Sequence, residues 1–261
     1  MTNETKPQAA GPVTAISDHT ADRIWIRGAD LVRDLIGKLT FTEMIYFHLT
    51  GQRPNRGQTA VLDAVLVTLM EHGLTPSAIA TRLIYDSAPE ALQAAVAAGL
   101  LGVGSTFIGT MEGCSATLDE LVQAPEGVAA RAATIAQRHR TERRPVHGFG
   151  HPYHKPDDPR TPALLALAAD HGLAGRYVDA LKVLSAEVDK AWGRHLTVNA
   201  TGAVAALLLE IGIPREIMRG IAVISRSAGL VGHVLEESRA PTARFIWSTV
   251  EGSIPYTGSR S

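Results

Sequence analysis

From Gly28 onward, the chain is a succession of apolar segments at helical period, cut by glycine and proline, and this punctuation limits the fold more than any other feature. Thr40 and Glu43 form a capping box ahead of an apolar stretch at 41–49, which Gly51 and Pro54 close. A second helix is expected at 57–72, with Val61, Ala64, Val65 and Thr68 on one stripe. Pro76 and Ser77 open a third helix through Ala80, Ile84 and Tyr85, and Pro89 is expected in the first turn of an alanine-rich helix reaching Leu101. Gly99, Gly102, Gly104 and Gly109 crowd that neighbourhood, a sign of close backbone packing or of a ligand. Further helices are expected at 111–122, at 127–139, from Pro162 to His171 and Gly172, and at 176–192, 199–211 and 215–237. Residues 23–28 alternate polar and apolar and read as a short extended piece or small hairpin, while residues 241–261 mix polar and aromatic side chains. Roughly a dozen helices with hardly any strand make an all-α fold, and no βαβ alternation supports a nucleotide-binding sheet.

One segment carries no hydrophobic period. Residues 146–160 hold three histidines (His147, His151, His154), two glycines, three prolines, Lys155 and Arg160. Glycine lets backbone approach a ligand and proline stiffens the path that follows. His151 can move a proton near neutral pH, and Arg160 can hold a carboxylate. This loop reads as a site.

The net charge of -1 argues against a nucleic-acid surface or a polybasic membrane patch. The one cysteine, Cys114, excludes an internal disulfide and fits a reducing cytoplasm. Residues 1–12 are polar, lack the apolar core of a signal peptide and read as a loose arm. The apolar run at 196–213 contains Asn199, Thr201 and Glu210, which a membrane span would carry at high cost, so it reads as a buried core helix. The ten histidines show no HxxxH or HExxH spacing with a carboxylate partner, and no metal is expected.

Three ordered motifs resemble the citrate synthase superfamily, and within it the citryl-CoA lyase branch that includes the lyase domain of ATP citrate lyase. Arg27-Gly28 through Phe41-Thr42-Glu43 and Leu49-Thr50-Gly51-Gln52-Arg53-Pro54 is similar to the N-terminal signature. Gly148-Phe149-Gly150-His151 with Asp158-Pro159-Arg160 resembles the most specific motif, and residues 225–233 resemble the C-terminal arginine helix. The resemblance covers residues 12–258 and implies an all-α homodimer with a large domain (1–107 and 212–261) and a small one (108–211). It implies making or breaking the carbon–carbon bond between the acetyl group of acetyl-CoA and oxaloacetate, with coenzyme A thioester as substrate or product and no other cofactor. His151 would act as base on the citryl hydroxyl, while Arg160, Arg226 and His72 would bind the acid portion. Gly148, Phe149 and Gly150 would lie against coenzyme A, with Lys155 on a phosphate.

Two positions depart from the synthases. Phe107, in the turn at 104–109, stands where a synthase carries a catalytic histidine, and this favours a lyase. Thr201, in Asn199-Ala200-Thr201-Gly202, stands where the family has its catalytic aspartate, and a hydroxyl is a far poorer acid or base. The residues therefore leave three readings: a citryl-CoA lyase-like enzyme that protonates the enolate from Thr201 or water, a condensing acyltransferase, and a catalytically dead coenzyme A or dicarboxylate binder. Non-catalytic readings stay open for His72 as a helix-terminal histidine and for Thr201 as a cap or packing residue. His147, His154 and Lys155 read as loop decoration, with pairing to a coenzyme A phosphate as the alternative for Lys155.

Overall fold

The computed structural model describes residues 11–106 and 108–259, so Phe107 and most of the arm expected at 1–12 lie outside the described residues. The chain divides into two compact units, Met1–Thr59 and Ala60–Ser261.

The first unit opens with an antiparallel three-stranded sheet, β1 (Ser17–His19), β2 (Ile24–Ile26) and β3 (Ala29–Asp30) in sequential order. Arg27 and Gly28 join β2 to β3 with φ of 50° and 80°, the two left-handed residues that a type I′ hairpin turn requires. The hairpin expected around 23–28 is there, extended by one strand. The Asp30 side chain accepts from Val32 N and Arg33 N and starts a π-helical turn, Leu31–Leu35. Helix α1 (Phe41–Thr50) begins at the Thr40–Glu43 capping box and ends at Gly51, whose φ is 74°.

Helix α2 (Arg56–Met70) runs into the second unit. It is followed by α3 (Pro76–Ser87), α4 (Leu92–Leu101), α5 (Thr110–Val122), α6 (Val128–Thr141), α7 (Arg160–Asp170), α8 (Arg176–Trp192) and α9 (Ala200–Glu210). A 3-10 turn (Arg215–Ile217) then leads into α10 (Met218–Arg239) and α11 (Ala243–Ser253). Helix α9 is the predicted core helix: Gly202 through Leu208 are all buried, and it packs on α5, α7 and α8. Burial of Leu207 and Leu208 stabilises the fold by about 2 kcal/mol each. Helices α3, α4, α10 and α11 form a second packed set, and α10 also touches α5. Among the described residues no helix is long and apolar enough to cross a membrane.

Of the crowded glycines, Gly99, Gly102 and Gly109 have a packing cause, while Gly104 faces open space. A Cβ on Gly99 would stand 2.0 Å from Thr81 Oγ1, so α3 and α4 approach each other only because no side chain is there. One expectation needs correction. Pro89 lies in a turn ahead of α4, which begins at Leu92; Ala88, at φ -142° and ψ 68°, leaves the helical region as residues before proline do. The stretch 241–261, read only by composition, contains an eleven-residue helix whose Phe245, Trp247 and Val250 are exposed.

Candidate functional site

The glycine–histidine loop is held by a short ladder against the segment before α9. Gly150 N donates to Thr197 O at 2.7 Å, Asn199 N donates to Gly148 O at 3.0 Å, and Phe149 pairs with Val198. Asn199 also caps α9 and donates from Nδ2 to Gly150 O at 2.8 Å. Gly148 and Gly150 have φ of 87° and 79°, a region that L side chains rarely enter. Gly148 is buried: a Cβ there would meet Cys114 Sγ at 2.7 Å and Gly202 Cα at 2.9 Å. Its glycine serves the contact with α9, whereas Gly150 faces open space. Of the three residues expected against coenzyme A, Phe149 and Gly150 are partly exposed.

Asp158 locks the far end of the loop. Fully buried, it accepts from Arg160 Nε at 2.9 Å, from Arg160 Nη2 at 2.8 Å and from Ala200 N at 3.0 Å. Burial alone would raise its pKa, but hydrogen bonds and charge from Arg160, with Ala200 N–H, hold it at about 2. The Nε–Nη2 side of Arg160 is thus committed to Asp158, and its end-on edge is the part turned to other use. Arg160 Nη2 also stands 3.4 Å from His151 Nε2. A shallow apolar groove of about 370 Å³ between α2 and α7 is lined by Val67, Ala163 and Leu167 and by Arg160 itself.

Three histidines meet beside it. His72 follows α2, where the Glu71 carboxylate accepts from His72 N and Gly73 N and turns the chain. His72 Nε2 and His154 Nε2 lie 3.2 Å apart, and the His151 and His154 ring centroids are 4.3 Å apart. His154, read from sequence as decoration, is part of the cluster. The facing nitrogens of His72, His151 and His154 all fall within 4.8 Å of one another, a donor count that could hold a metal ion. Spacing rules miss this grouping because the rings come from two separate segments. The surroundings are cationic, however, and His151 Nδ1 is already occupied: it accepts from Tyr153 N at 3.1 Å and His154 N at 2.9 Å. The two backbone donors call for a lone pair on Nδ1, whereas Arg160 Nη2, itself only a donor, faces Nε2 at 3.4 Å and calls for one there. Burial and the neighbouring His154 lower the pKa of His151, and burial with Arg160, His154 and Arg226 lowers that of His72, which favours the neutral form of both rings.

Arg226 reaches the cluster from α10. Its helix lies tight on the end of α2: Ser225 Oγ donates to Leu66 O, and a Cβ on Gly229 would fall 2.2 Å from Met70 O. The Arg226 side chain is buried, and its Nε and Nη1 have no hydrogen-bond partner. The nearest carboxylate oxygen, Glu71 Oε1, is 3.8 Å away, and burial lowers the pKa of the guanidinium. Buried donors without partners are costly, and an arginine in that state fits an incoming anion. Thr201 differs in kind. Its hydroxyl donates to Asn199 Oδ1 at 2.7 Å and lies 2.8 Å from Thr110 Oγ1, so it is engaged by the protein on both sides. Lys155 is exposed on the loop.

The all-α fold thus gathers Arg160, Arg226 and three histidines, with Nε and Nη1 of Arg226 left without partners. The citrate synthase C-terminal domain profile matches residues 20–246, and the chain belongs to the citrate synthase family. It is similar to the citryl-CoA lyase of Hydrogenobacter thermophilus, with a TM-score of 0.85, 32% identity and 95% of each chain covered. The ATP citrate lyase of Methanothrix soehngenii, solved with citrate and coenzyme A, shares the fold at a TM-score of 0.78 and 18% identity, over 98% of this chain and 43% of the other. A citrate synthase-like protein of a Phoma species is 26% identical over 237 residues, covering 87% of this chain and 48% of its own. The chain thus spans about half the length of the curated relatives it matches.

Proposed function

We propose that this protein is a citryl-CoA lyase-like enzyme, cleaving citryl-CoA or a close 3-hydroxyacyl-CoA to acetyl-CoA and oxaloacetate. The observation that carries the reading is the buried, unpartnered Nε and Nη1 of Arg226 beside Arg160 and the histidines. Two guanidiniums match the two free carboxylates of a citryl thioester or of oxaloacetate. Likeness to a citryl-CoA lyase over nearly the whole of both chains favours cleavage over condensation.

In this reading Arg226 and the end-on edge of Arg160 hold the carboxylates, and His151 is the base on the hydroxyl of the central carbon. His72 adjoins that oxygen. Phe149, Gly150 and Lys155 face coenzyme A. The enolate is protonated by water, since the Thr201 proton is bound to Asn199. The chemistry asks for no cofactor beyond the coenzyme A thioester. A second copy of the chain completes a homodimer, and the exposed Phe245, Trp247, Val250, Ile254 and Tyr256 support such an interface. Residues 108–211 form the small domain, a division supported by the mutual packing of α5 through α9. The buried Cys114 thiol, its pKa pushed up to about 12 by burial, suits a reducing cytoplasm.

The test is to supply citryl-CoA and follow oxaloacetate by its reduction with a coupled dehydrogenase, then to supply acetyl-CoA with several 2-oxo acids and follow thiol release. Oxaloacetate formation that Arg226→Met abolishes is the expected result. Faster thiol release than cleavage moves the assignment to a synthase. Oxaloacetate binding with no turnover in either assay leaves a dead homologue, the reading that the engaged Thr201 favours.

A further inference from the structure

We infer that His195 is a positioning residue for the glycine–histidine loop: its ring ties Asp157 of that loop to Asp189 of α8, and the tie is complete only while both ring nitrogens carry protons. The consequence for turnover rests on the lyase reading above; the tie itself does not. His195 Nδ1 stands 2.7 Å from Asp189 Oδ2, and its Nε2 stands 3.0 Å from Asp157 Oδ1. An ionised carboxylate only accepts, so each contact asks the ring for an N–H. A neutral imidazole has one N–H and satisfies one side, whereas an imidazolium satisfies both. The charged groups facing the ring are these two carboxylates, Asp189 from α8 and Asp157 from the loop. The neighbouring cations are engaged elsewhere: Lys190 pairs with Glu187, and Arg160 with Asp158. The hydrogen bond to Asp189, then the one to Asp157, hold the pKa of His195 above its ordinary value.

Helix α8 is the anchor and the loop is the tethered part. Buried Leu181, Leu184 and Val188 fix the helix, and Asp189 Oδ1 also accepts from Leu196 N at 2.8 Å. Among the described residues the Asp157 carboxylate has only the ring as partner. When the ring loses a proton, Asp189 therefore keeps the remaining N–H and Asp157 is the side that lets go. The residues around Asp157 belong to the site. Pro156 O accepts from Thr197 Oγ1, and Asp158 holds Arg160 through Nε and Nη2. Before Pro156 the loop leads back to His154 and His151. His195 thus fastens the stretch between these histidines and Arg160, and a fastened loop loses less conformational freedom when the acid portion binds. The tie is exposed, so its effect on binding is modest, about threefold. Because the folded pKa is raised, the tie is complete below the ordinary histidine value and is lost as pH rises through the raised one.

The test uses the full chain with His195→Gln, which cannot span both carboxylates, and with His195→Arg, which stays charged and offers N–H groups on two edges. The KM of the wild type for citryl-CoA is expected to rise about threefold as pH passes the pKa of His195, with kcat changing by less than about twofold. His195→Gln is expected to show the raised KM on both sides of that pH, and His195→Arg the low one. NMR of histidine-labelled wild-type protein reads the tie without turnover. His195 is expected to titrate above the ordinary value of 6.5, and Asp157→Asn to lower its pKa. A KM in His195→Gln that follows the wild type across pH overturns the inference. So does a wild-type His195 that titrates at or below 6.5, or a titration that Asp157→Asn leaves unmoved. If the wild-type protein does not cleave citryl-CoA, the lyase reading has failed, and the NMR still decides for or against the tie. The NMR also decides if His195→Gln fails to fold.

Discussion

Replacing Arg226 with methionine should make the empty protein more stable and its ligand binding weaker. The guanidinium is buried, and two of its nitrogens, Nε and Nη1, have no hydrogen-bond partner. Each unsatisfied buried donor costs about 1–3 kcal/mol, more when charged. Glu71 returns part of this at 3.8 Å, but it is nearly half exposed and so returns little. Methionine keeps most of the stem volume against α2 and adapts to an irregular gap. Allowing for imperfect packing, Arg226→Met should gain about 1–2 kcal/mol, a rise in Tm of about 3–6 °C for a chain of this size. Oxaloacetate binding should weaken by about 2–5 kcal/mol, or roughly thirtyfold to several thousandfold. Scanning calorimetry with and without oxaloacetate reads both numbers: ligand should raise the Tm of the wild type and leave the variant unmoved. A variant that melts lower than the wild type and still responds to ligand would show that Arg226 is a structural cation, and the reasoning from unpartnered donors would be refuted.

Gly148→Ala places a Cβ 2.7 Å from Cys114 Sγ at a φ of 87° and should cost about 3 kcal/mol or more, whereas Gly150→Ala is strained only by its φ and should cost about 1–2 kcal/mol; denaturant melts rank the two. Asp158 gives a pH signature. Its folded pKa of about 2 lies below the ordinary carboxylate value, so its contribution is complete above that ordinary value and is lost as pH falls through about 2. The difference amounts to about 2–3 kcal/mol, and Asp158→Asn should flatten that part of the acid-unfolding curve. Thr201→Val removes hydrogen bonds to Asn199 and Thr110 and should cost about 1 kcal/mol of stability, while turnover stays within a few fold if water protonates the enolate. A loss of about a hundredfold would return Thr201 to the role of acid.

The division of labour between sequence and tertiary structure follows the range of the forces involved. Helix boundaries are local: the Thr40–Glu43 box, Gly51, the Pro76 start and the 176–192 helix are written in neighbouring residues, and the structure has them. The Pro89 boundary was missed because a proline fits both a first helical turn and the turn before a helix. Helix α11 was not read from the sequence although Trp247, Val250 and Ile254 recur at helical spacing; in the structure that stripe is exposed. At the site, His72, His151, Arg160 and Arg226 were legible as residue types within motifs. Their protonation and availability were not. The hydrogen bonds at His151 Nδ1 come from two backbone N–H groups, the engagement of Thr201 from Asn199 and Thr110, and the recruitment of His154 from a ring 82 positions away. By itself the sequence determined an all-α chain and the cast of cationic side chains, because helical period and side-chain chemistry are properties of the residues. Which nitrogen carries a proton, which arginine lacks a partner and which glycine is a contact were decided only by tertiary structure, because hydrogen bonds and burial depend on neighbours that the chain brings together from a distance.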